Sequence, residues 1–306
     1  MSLAQGDPDA VVTTAPSVTA ESAPPRARRG GLRWALGRLA RNPSAQAGGG
    51  VLLLILFCAA FAPWIAPHDP YAVDTLSRLK PPSAVNWLGT DEVGRDLASR
   101  LIHGTRYFLL ICLTAASISA GCGIVLGLLA GAGPPWADTV IMRLTDMLLA
   151  FPYILLVLAI VAILGPSLWT AMAAVGIAGI PGYARLIRSV ALTVKREEYV
   201  EAARALGASE TQIIWGTILP NTISPLVVYL SYATPIAALS AAALSFLGLG
   251  AQPPAPEWGA MLVNSRSFLF TAWWAVAAPG LTIFVAILSM NLLGNGLRDV
   301  LDPRDA

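Results

Sequence analysis

Charged side chains are scarce in this sequence: Asp, Glu, Lys and Arg make up 12% of its 306 residues, whereas 56% of the residues are hydrophobic. A soluble domain of ordinary composition carries roughly 25% charged residues. This deficit excludes an ordinary soluble domain and places the chain among proteins with several membrane-spanning segments. The formal net charge of +2 is too small to indicate nucleic acid as a partner.

Groups that could hold metals, disulfides or nucleotides are also few. The three cysteines, Cys58, Cys112 and Cys122, lie in apolar segments and form neither a disulfide framework nor a metal-binding spacing. The sequence contains no G-x-x-x-x-G-K-[ST] phosphate loop. Beyond Asp146, the apolar segments carry no acid, base or histidine suited to an ion or proton relay. We therefore expect a chain with no catalytic, cofactor or metal site of its own.

Long apolar segments predict an all-α, polytopic membrane protein with six transmembrane helices. No charged residue lies between Asp146 and Arg185, and one helix of that length would measure about 55 Å, nearly twice the ~30 Å hydrocarbon core. The region must therefore contain two spans, and Gly165-Pro166-Ser167 predicts the turn between them. The predicted spans are about 47–64, 108–131, 139–164, 168–190, 223–247 and 275–293.

The amino-terminal region predicts the orientation of these spans. Residues 1–30 are rich in small and polar residues and predict a disordered tail that is not a signal peptide. Six arginines between Arg26 and Arg41 precede the first span, which predicts a cytoplasmic amino terminus. The same arginines also suit an amphipathic helix on anionic lipid or, more weakly, nucleic acid. Six crossings then place residues 68–100 outside the cell and both residues 194–221 and the carboxyl terminus in the cytoplasm.

The polar stretch 194–221 interrupts the apolar segments and predicts two short helices. Residues 196–206 are good helix formers with an apolar face and with acids near the start, and Gly207 suits a left-handed cap. Ser209 and Gln212 have the spacing of a capping box and predict the start of a second helix. Pro220 ends the stretch or kinks the chain into the next span. The stretch predicts a cytoplasmic helix–turn–helix presented to a soluble partner, although a surface helix pair without a partner has the same pattern.

This stretch contains Glu201, Ala202, Ala203, Gly207, Leu219 and Pro220, which resemble the EAA loop of membrane subunits of ABC importers. In that family the loop forms coupling helices that dock into a groove on an ATPase subunit, and the resemblance implies this role here. The family has an isoleucine two residues before its Leu-Pro pair, where this chain has Thr217.

A second motif, LGTDEVGRD at residues 88–96, lies in the polar loop 68–100. Its acids can cap turns or a helix start, its glycines allow tight backbone, and Arg95 and Arg100 can pair with the acids. An alternative catalytic role, with His68 or His103 as the base, lacks a nucleophile. The motif resembles the segment before the core domain in permeases of the dipeptide/oligopeptide/nickel branch. The predicted extracytoplasmic site residues are Gly89, Thr90, Asp91, Gly94, Arg95 and Asp96.

Further segments match that branch in order and at its spacing. They are APHDPY at 66–71, RLTD at 143–146, AFP at 150–152, LSFLGLG at 244–250 and NLLGNGLRD at 291–299, where the family commonly has Asp in place of Asn295. The chain resembles the second (C-type) permease subunit, with a type I ABC importer fold. The implied division is a segment with the first span and outer loop over residues 31–105, a core over 106–296 and a cytoplasmic tail over 297–306.

This resemblance implies a permease of an ATP-driven importer for dipeptides, oligopeptides, nickel chelates or other small solutes. The implied partners are a second permease subunit, two ATPase subunits that bind ATP and Mg²⁺, an extracytoplasmic solute-binding protein and the bilayer of the cytoplasmic membrane. Two alternatives from other classes stay open: a secondary carrier or channel that works alone, and a membrane enzyme with Asp91 and Asp96 in its site. The sequence leaves the substrate undetermined.

Overall fold

The computed structural model describes residues 37–39 and 41–301, and this part of the chain is helical, with one isolated β-bridge between Thr90 and Asp96. The helices are α1 (Pro43–Ile65), α2 (Leu97–Ala132), α3 (Pro135–Leu149), α4 (Tyr153–Leu164), α5 (Leu168–Lys195), α6 (Glu198–Ala205), α7 (Glu210–Ile213), α8 (Leu219–Phe246), α9 (Trp258–Ser265) and α10 (Trp273–Leu301). A π-helix (Ile214–Ile218) joins α7 to α8, and two short 3-10 helices lie at Thr75–Ser77 and Arg266–Phe268. The predicted all-α class is confirmed.

Helix starts are fixed by polar side chains that accept hydrogen bonds from the first free amides. The side chain of Asn42 accepts from the amide of Ser44 at 3.0 Å at the start of α1. Asp96 accepts from the amide of Ser99 at 2.8 Å at the start of α2. Ser167 begins α5 with a capping box. These caps fix the starts of α1, α2 and α5.

Five described helices are long and apolar enough to cross a membrane, and α3 with α4 gives a sixth if this bent pair counts as one span. The two helices meet at an angle of 93° around residues 150–152. The span predicted over residues 139–164 therefore consists of two helices with a sharp bend between them. Pro152 lacks an amide hydrogen and restricts Phe151 to extended backbone, so the helix ends before it.

Two helices extend beyond the spans predicted for them. The second helix starts at Leu97 rather than near 108, so residues 97–100 are helical and not part of the polar loop. Its first turns are polar in sequence but packed under loops, with Leu97 and Arg100 buried. The last helix continues to Leu301 rather than ending near 293, through the residues assigned to a tail from 297. Polar residues end an apolar run without ending the helix, so hydropathy underestimated the length of both helices.

Close packing between α2 and α5 forms the centre of the bundle. Gly123, Gly127 and Gly131 of α2 abut Tyr183, Ile187 and Ala191 of α5, so each added side chain would collide. Small residues permit such close approach of helices in lipid. The face of α2 that carries these three glycines therefore packs closely on α5, whereas nothing lies within 4 Å of the position of a side chain at Gly121.

The first helix packs against the last one. Gly48 of α1 lies against the backbone of Ser289 and Leu293, and Gly296 of α10 lies against Ala45. Asn42 donates a hydrogen bond to Asp299 at 3.2 Å. These contacts fix α1 along one side of the bundle.

The bundle has two chemically different ends. We call the end that carries residues 66–96 and 247–272 the long-loop end, and the end that carries residues 133–134 and 196–218 the short-helix end.

The predicted disordered tail, residues 1–30, lies outside the described residues, as do residues 302–306. The predicted boundary between residues 105 and 106 falls inside α2.

Candidate functional site

The short-helix end contains the helix–turn–helix predicted for residues 194–221. Helix α6 has Glu198 and Glu201 in its first turn and Arg204 in its last, as the helix dipole favours. Gly207 then has φ +90°, a left-handed conformation that suits glycine. Ser209 caps α7 in a complete capping box with Gln212. The two predicted helix starts and the predicted turn between them are confirmed as local structure.

An ion pair closes this turn. Arg204 Nε lies 2.7 Å from Glu210 Oε1, and Arg204 Nη2 lies 3.2 Å from Glu210 Oε2. The bidentate contact raises the pKa of the Arg204 guanidinium because the carboxylate stabilises the charged form. Both side chains are solvent-accessible, so the pair contributes orientation more than stability.

The inner face of the helix–turn–helix is apolar and packs on the bundle. Val200, Ile213 and Ile218 are buried. They form one cluster with side chains from the ends of α2 and α5: Leu128, Ala132, Ile187, Ala191 and Val194. A movement of the short helices would therefore be passed directly to two long helices.

The outer face of the same element exposes large apolar side chains. Leu206 is 90% exposed, and Tyr199 and Trp215 are also exposed. Glu201 and Ala202 of α6 are exposed as well. Exposed apolar side chains grouped in a polar segment are typical of a docking surface. Among the predicted coupling residues, Gly207 and Pro220 are also exposed, whereas Ala203 and Leu219 are half-buried.

A π-helix connects the short helices to α8. The sequence analysis did not predict this π-helix. The amide of Leu219 donates to the carbonyl of Ile214, five residues back. Pro220 has no amide to donate, so the wider spacing ends there and α8 continues with normal geometry. The predicted kink at Pro220 is thus a change of helix type within a continuous helical segment. Only the proline hinted at it in the sequence.

The long-loop end contains the second predicted motif, built around Asp91. This buried carboxylate accepts hydrogen bonds from the amides of Val93 and Arg95 and from Arg95 Nε at 2.6 Å. Arg95 also donates to Glu92 at 3.1 Å. The predicted pairing of Arg95 with the acids is confirmed.

Other motif residues join the loop to the start of α2. Asp96 caps α2 and accepts a hydrogen bond from Asn86 at 2.9 Å. Thr90 donates to the carbonyl of Ser77 at 2.5 Å and accepts from the amide of Lys80. Gly89 and Gly94 have φ of +81° and +84°, so both turns require left-handed backbone. The six predicted residues therefore form one folded loop in which Asp91 and Asp96 bond to the chain itself.

Arg100 connects this loop to the other half of the long-loop end, a link that sequence reasoning missed. Its guanidinium donates to the carbonyls of Pro70, Pro254 and Ala255 at 2.9, 3.3 and 3.3 Å. Its Nε lies 3.5 Å from Asp91 Oδ2. One buried cation thus joins three segments that are distant in sequence.

Helix α9 is anchored next to this link. The buried Glu257 carboxylate accepts from the amides of Gly259 and Ala260 at 2.9 and 2.8 Å. Burial raises the pKa of Glu257, because desolvation outweighs the hydrogen bonds that favour the charged form. Trp258 donates to the carbonyl of Leu101 at 3.1 Å and stacks on Phe108.

Two ion pairs join α3 to α5 on the side of the short-helix end. Arg188 holds Asp138 through two contacts of 2.5 and 2.7 Å, and Arg185 Nη2 lies 2.6 Å from Asp146 Oδ1. The four charged residues are visible in the sequence, but the sequence analysis did not predict how they pair. The two predicted site groups occupy opposite ends of the bundle, and these ion pairs belong to neither group.

Comparisons with known proteins agree with this architecture. Residues 32–82 match the N-terminal TM domain of oligopeptide transport permease C, and residues 123–304 match the binding-protein-dependent transport system inner membrane component. A chain in a structure of the MetNI methionine ABC transporter, in inward-facing conformations, covers 65% of this chain with 95% of its own, at 18% identity and a TM-score of 0.53. That likeness concerns the fold.

Curated relatives cover nearly the whole chain. The di/tripeptide transport system permease protein DppC of Pseudomonas aeruginosa is 49% identical over 87% of this chain and 89% of its own. The probable D,D-dipeptide transport system permease protein DdpC of Escherichia coli is 46% identical over 83% and 85%. The glutathione transport system permease protein GsiD of Pectobacterium atrosepticum is 44% identical over 87% and 89%.

The predicted relationship is confirmed by a match that extends over more than half of the chain and by relatives that share nearly half of its residues. Together with the bundle of apolar helices, these findings establish what kind of membrane protein the sequence encodes. The chain belongs to the family of binding-protein-dependent transport system inner membrane components, the permease subunits of ABC importers.

Proposed function

We propose that this chain is the permease subunit of an ATP-driven importer and that residues 194–221 couple it to ATPase subunits. In this assembly the chain binds no nucleotide or metal itself, and partner subunits bind ATP and Mg²⁺ and hydrolyse ATP. The other partners are a related permease subunit and an extracytoplasmic solute-binding protein. The work of the chain is to move its helices around the solute.

The observation that carries this proposal is the two-sided character of the helix–turn–helix. Val200, Ile213 and Ile218 attach its inner face to α2 and α5, while Tyr199 and Leu206 are exposed on its outer face. A docking element that transmits force needs both a partner surface and a firm attachment to the moving helices. The exposed Glu201-Ala202 pair lies on the same element.

The orientation follows from this role. If residues 196–218 meet cytoplasmic ATPases, the short-helix end is cytoplasmic and the long-loop end faces outward. Both chain termini are then in the cytoplasm, as the arginines before α1 predict. The folded loop around Asp91 and Arg100 becomes part of the outer surface, where a solute-binding protein docks.

We infer that the substrates are di- or oligopeptides or similar small solutes. Supporting this class, the relatives described above are permeases for di- and tripeptides, D,D-dipeptides and glutathione. The peptide bond is common to all of them. A secondary carrier or channel that works alone stays as the alternative.

The test compares ATP hydrolysis with peptide uptake in liposomes that contain the purified importer and its binding protein. Gly207→Pro should abolish uptake while the complex stays folded, because proline fixes φ near −65° and the turn requires +90°. Glu201→Lys should act in the same direction, since it reverses a charge on the docking face. Gly216→Ala is the matched control, because nothing lies within 4 Å of the added atom.

Normal uptake by Gly207→Pro at an unchanged ratio of ATP hydrolysed per solute would contradict the coupling role. Uptake by the wild-type chain alone, without ATPases, would instead support the alternative, a secondary carrier or channel that works alone.

A further inference from the structure

An open cleft of about 180 Å³ lies between α3 and α5, apart from both site groups described above. Charged side chains dominate its walls. The cleft, which we call the Arg143 cleft, is lined by Asp138, Thr139, Met142, Arg143, Asp146 and Arg188.

The Arg143 cleft carries one positive charge without a partner. Asp138 is paired with Arg188, and Asp146 is paired with Arg185. Arg143 is exposed between the two pairs and has neither an ion pair nor a hydrogen bond to any described residue. The lining itself has two acids and two arginines, and Arg185, which pairs with Asp146 from outside the lining, brings the cluster to a net charge of about +1. This charge suits one singly charged anion.

The position of the cleft matches the edge of the hydrocarbon core. Arg188 lies level with Gly131 of α2, and Ala184 with Gly123 and Gly127. At 1.5 Å per residue, these levels lie about 26–38 Å along α2 from Arg106, the last charged residue of that helix. Because the hydrocarbon core is ~30 Å thick, two charged layers at this separation lie at its two boundaries. The cleft is therefore at headgroup level.

An apolar stripe borders the cleft. It runs along α3 on residues that recur at helical spacing and are exposed: Trp136, Val140, Leu144 and Met147. Tryptophan at one end of an exposed apolar stripe, with arginine alongside, is typical of a helix in contact with the membrane interface. A ligand in this cleft would thus have its charged group beside Arg143 and its apolar part on α3.

We propose that the Arg143 cleft binds the phosphate group of an anionic phospholipid, with the acyl chains along the stripe. The lipid would lie in the cytoplasmic leaflet on the orientation proposed above; the site itself does not depend on coupling to ATPases. Basic pockets between helices on this side of a membrane are suited to anionic headgroups. The lipid would hold α3 next to α5.

The test is native mass spectrometry of the purified protein, with whatever subunits accompany it, titrated with phosphatidylglycerol or phosphatidylcholine. Wild type should retain one phosphatidylglycerol more tightly than phosphatidylcholine. Arg143→Gln should weaken this binding at least about fivefold, the effect of one basic residue near an anionic surface. Asp146→Asn should strengthen it, because Arg185 then adds an unpaired charge. Arg266→Gln, an exposed arginine in the long-loop end, is the matched control.

The gain expected for Asp146→Asn keeps the test informative even if Arg143→Gln folds poorly, because misfolding does not tighten binding. Equal binding of both lipids, or the same phosphatidylglycerol affinity in wild type, Arg143→Gln and Asp146→Asn, would overturn the proposal. Displacement of the lipid by millimolar inorganic phosphate would make the site one for free phosphate. Loss of a second permease subunit rather than lipid from Arg143→Gln would identify the cleft as a protein contact.

Discussion

At the scale of single residues, Arg100 determines how the long-loop end holds together. Its buried guanidinium contacts three carbonyl oxygens on two distant loops and lies near the carboxylate that Arg95 also contacts. A lysine would not replace it, because a point charge cannot reach several acceptors in one plane.

Arg100→Met should destabilise the protein by about 3–5 kcal/mol, because the carbonyls of Pro70 and Ala255 and the buried Asp91 lose a partner. Thermal unfolding of the purified protein measures this, with Arg266→Met as an exposed control that should match wild type. An unchanged melting temperature for Arg100→Met would show that the three contacts are dispensable.

Glu257 gives the second residue-scale prediction, a dependence on pH. Its raised pKa means that the folded chain keeps a proton at pH values where an unfolded glutamate, of pKa about 4.3, has lost it. The free energy of unfolding should therefore fall as pH rises from the ordinary glutamate pKa through the raised one. Glu257→Gln should remove this part of the pH dependence.

The melting temperatures of wild type and Glu257→Gln are measured across that pH range. The difference between the two proteins is then compared from one pH to the next. Glu197→Gln, which changes an exposed glutamate, should leave the wild-type profile unaltered. A constant difference between wild type and Glu257→Gln at every pH would contradict the assignment.

At the scale of elements, the glycine contacts between α2 and α5 are the main structural seam. Gly127→Leu should destabilise the bundle by about 1–3 kcal/mol, because the new side chain meets Ile187 and the backbone of Ala184. Gly121→Leu on the same helix should be neutral, since that face is open. The melting temperatures of the two variants test this difference. Equal effects of the two substitutions would contradict the packing described for α2.

The ion pairs between α3 and α5 are a second link between elements. Asp138→Asn should lower the free energy of unfolding by about 1–3 kcal/mol, the usual range for charged hydrogen bonds, because Arg188 loses its bidentate partner. The exchange Asp138→Arg with Arg188→Asp should restore part of this loss. If the double variant is no more stable than the single variants Asp138→Arg and Arg188→Asp, the ion pair is not the cause of the stability loss.

The predictability of each element depended on where its physical cause lies. Hydropathy located the long helices, and the local signals of Gly207 and Ser209 located the short ones, because those causes are within a few residues. The break at residues 150–152 was missed although Pro152 was visible, since the length argument needed only one turn between Asp146 and Arg185. The pairs Asp138–Arg188 and Arg100–Pro254 join residues distant in sequence, which no local pattern specifies.

At the scale of the whole molecule, the two ends are linked through the same helices. Helix α2 begins in the folded loop around Asp96 and ends in the same apolar cluster as Val200 and Ile213 of the helix–turn–helix. Helix α5 lies against α2 along most of its length and leads directly into α6. A displacement at the short-helix end therefore has a continuous packed path to the long-loop end.

The central claim is that the exposed face around Leu206 receives ATPase subunits. Leu206→Asp places a charge in the centre of that face and should release the ATPases, while the second permease subunit stays bound through the membrane helices. Phe270→Asp, a change of a 97% exposed aromatic side chain in the long-loop end, is the matched control.

The most direct measurement is purification of the tagged chain from its native membrane, with mass spectrometry of the proteins that accompany it. Wild type and Phe270→Asp should each recover a second permease and two ATPase subunits, and Leu206→Asp should recover the second permease without the ATPases. A wild-type chain that emerges alone or as a homo-oligomer, and still moves solute in liposomes, would contradict the account.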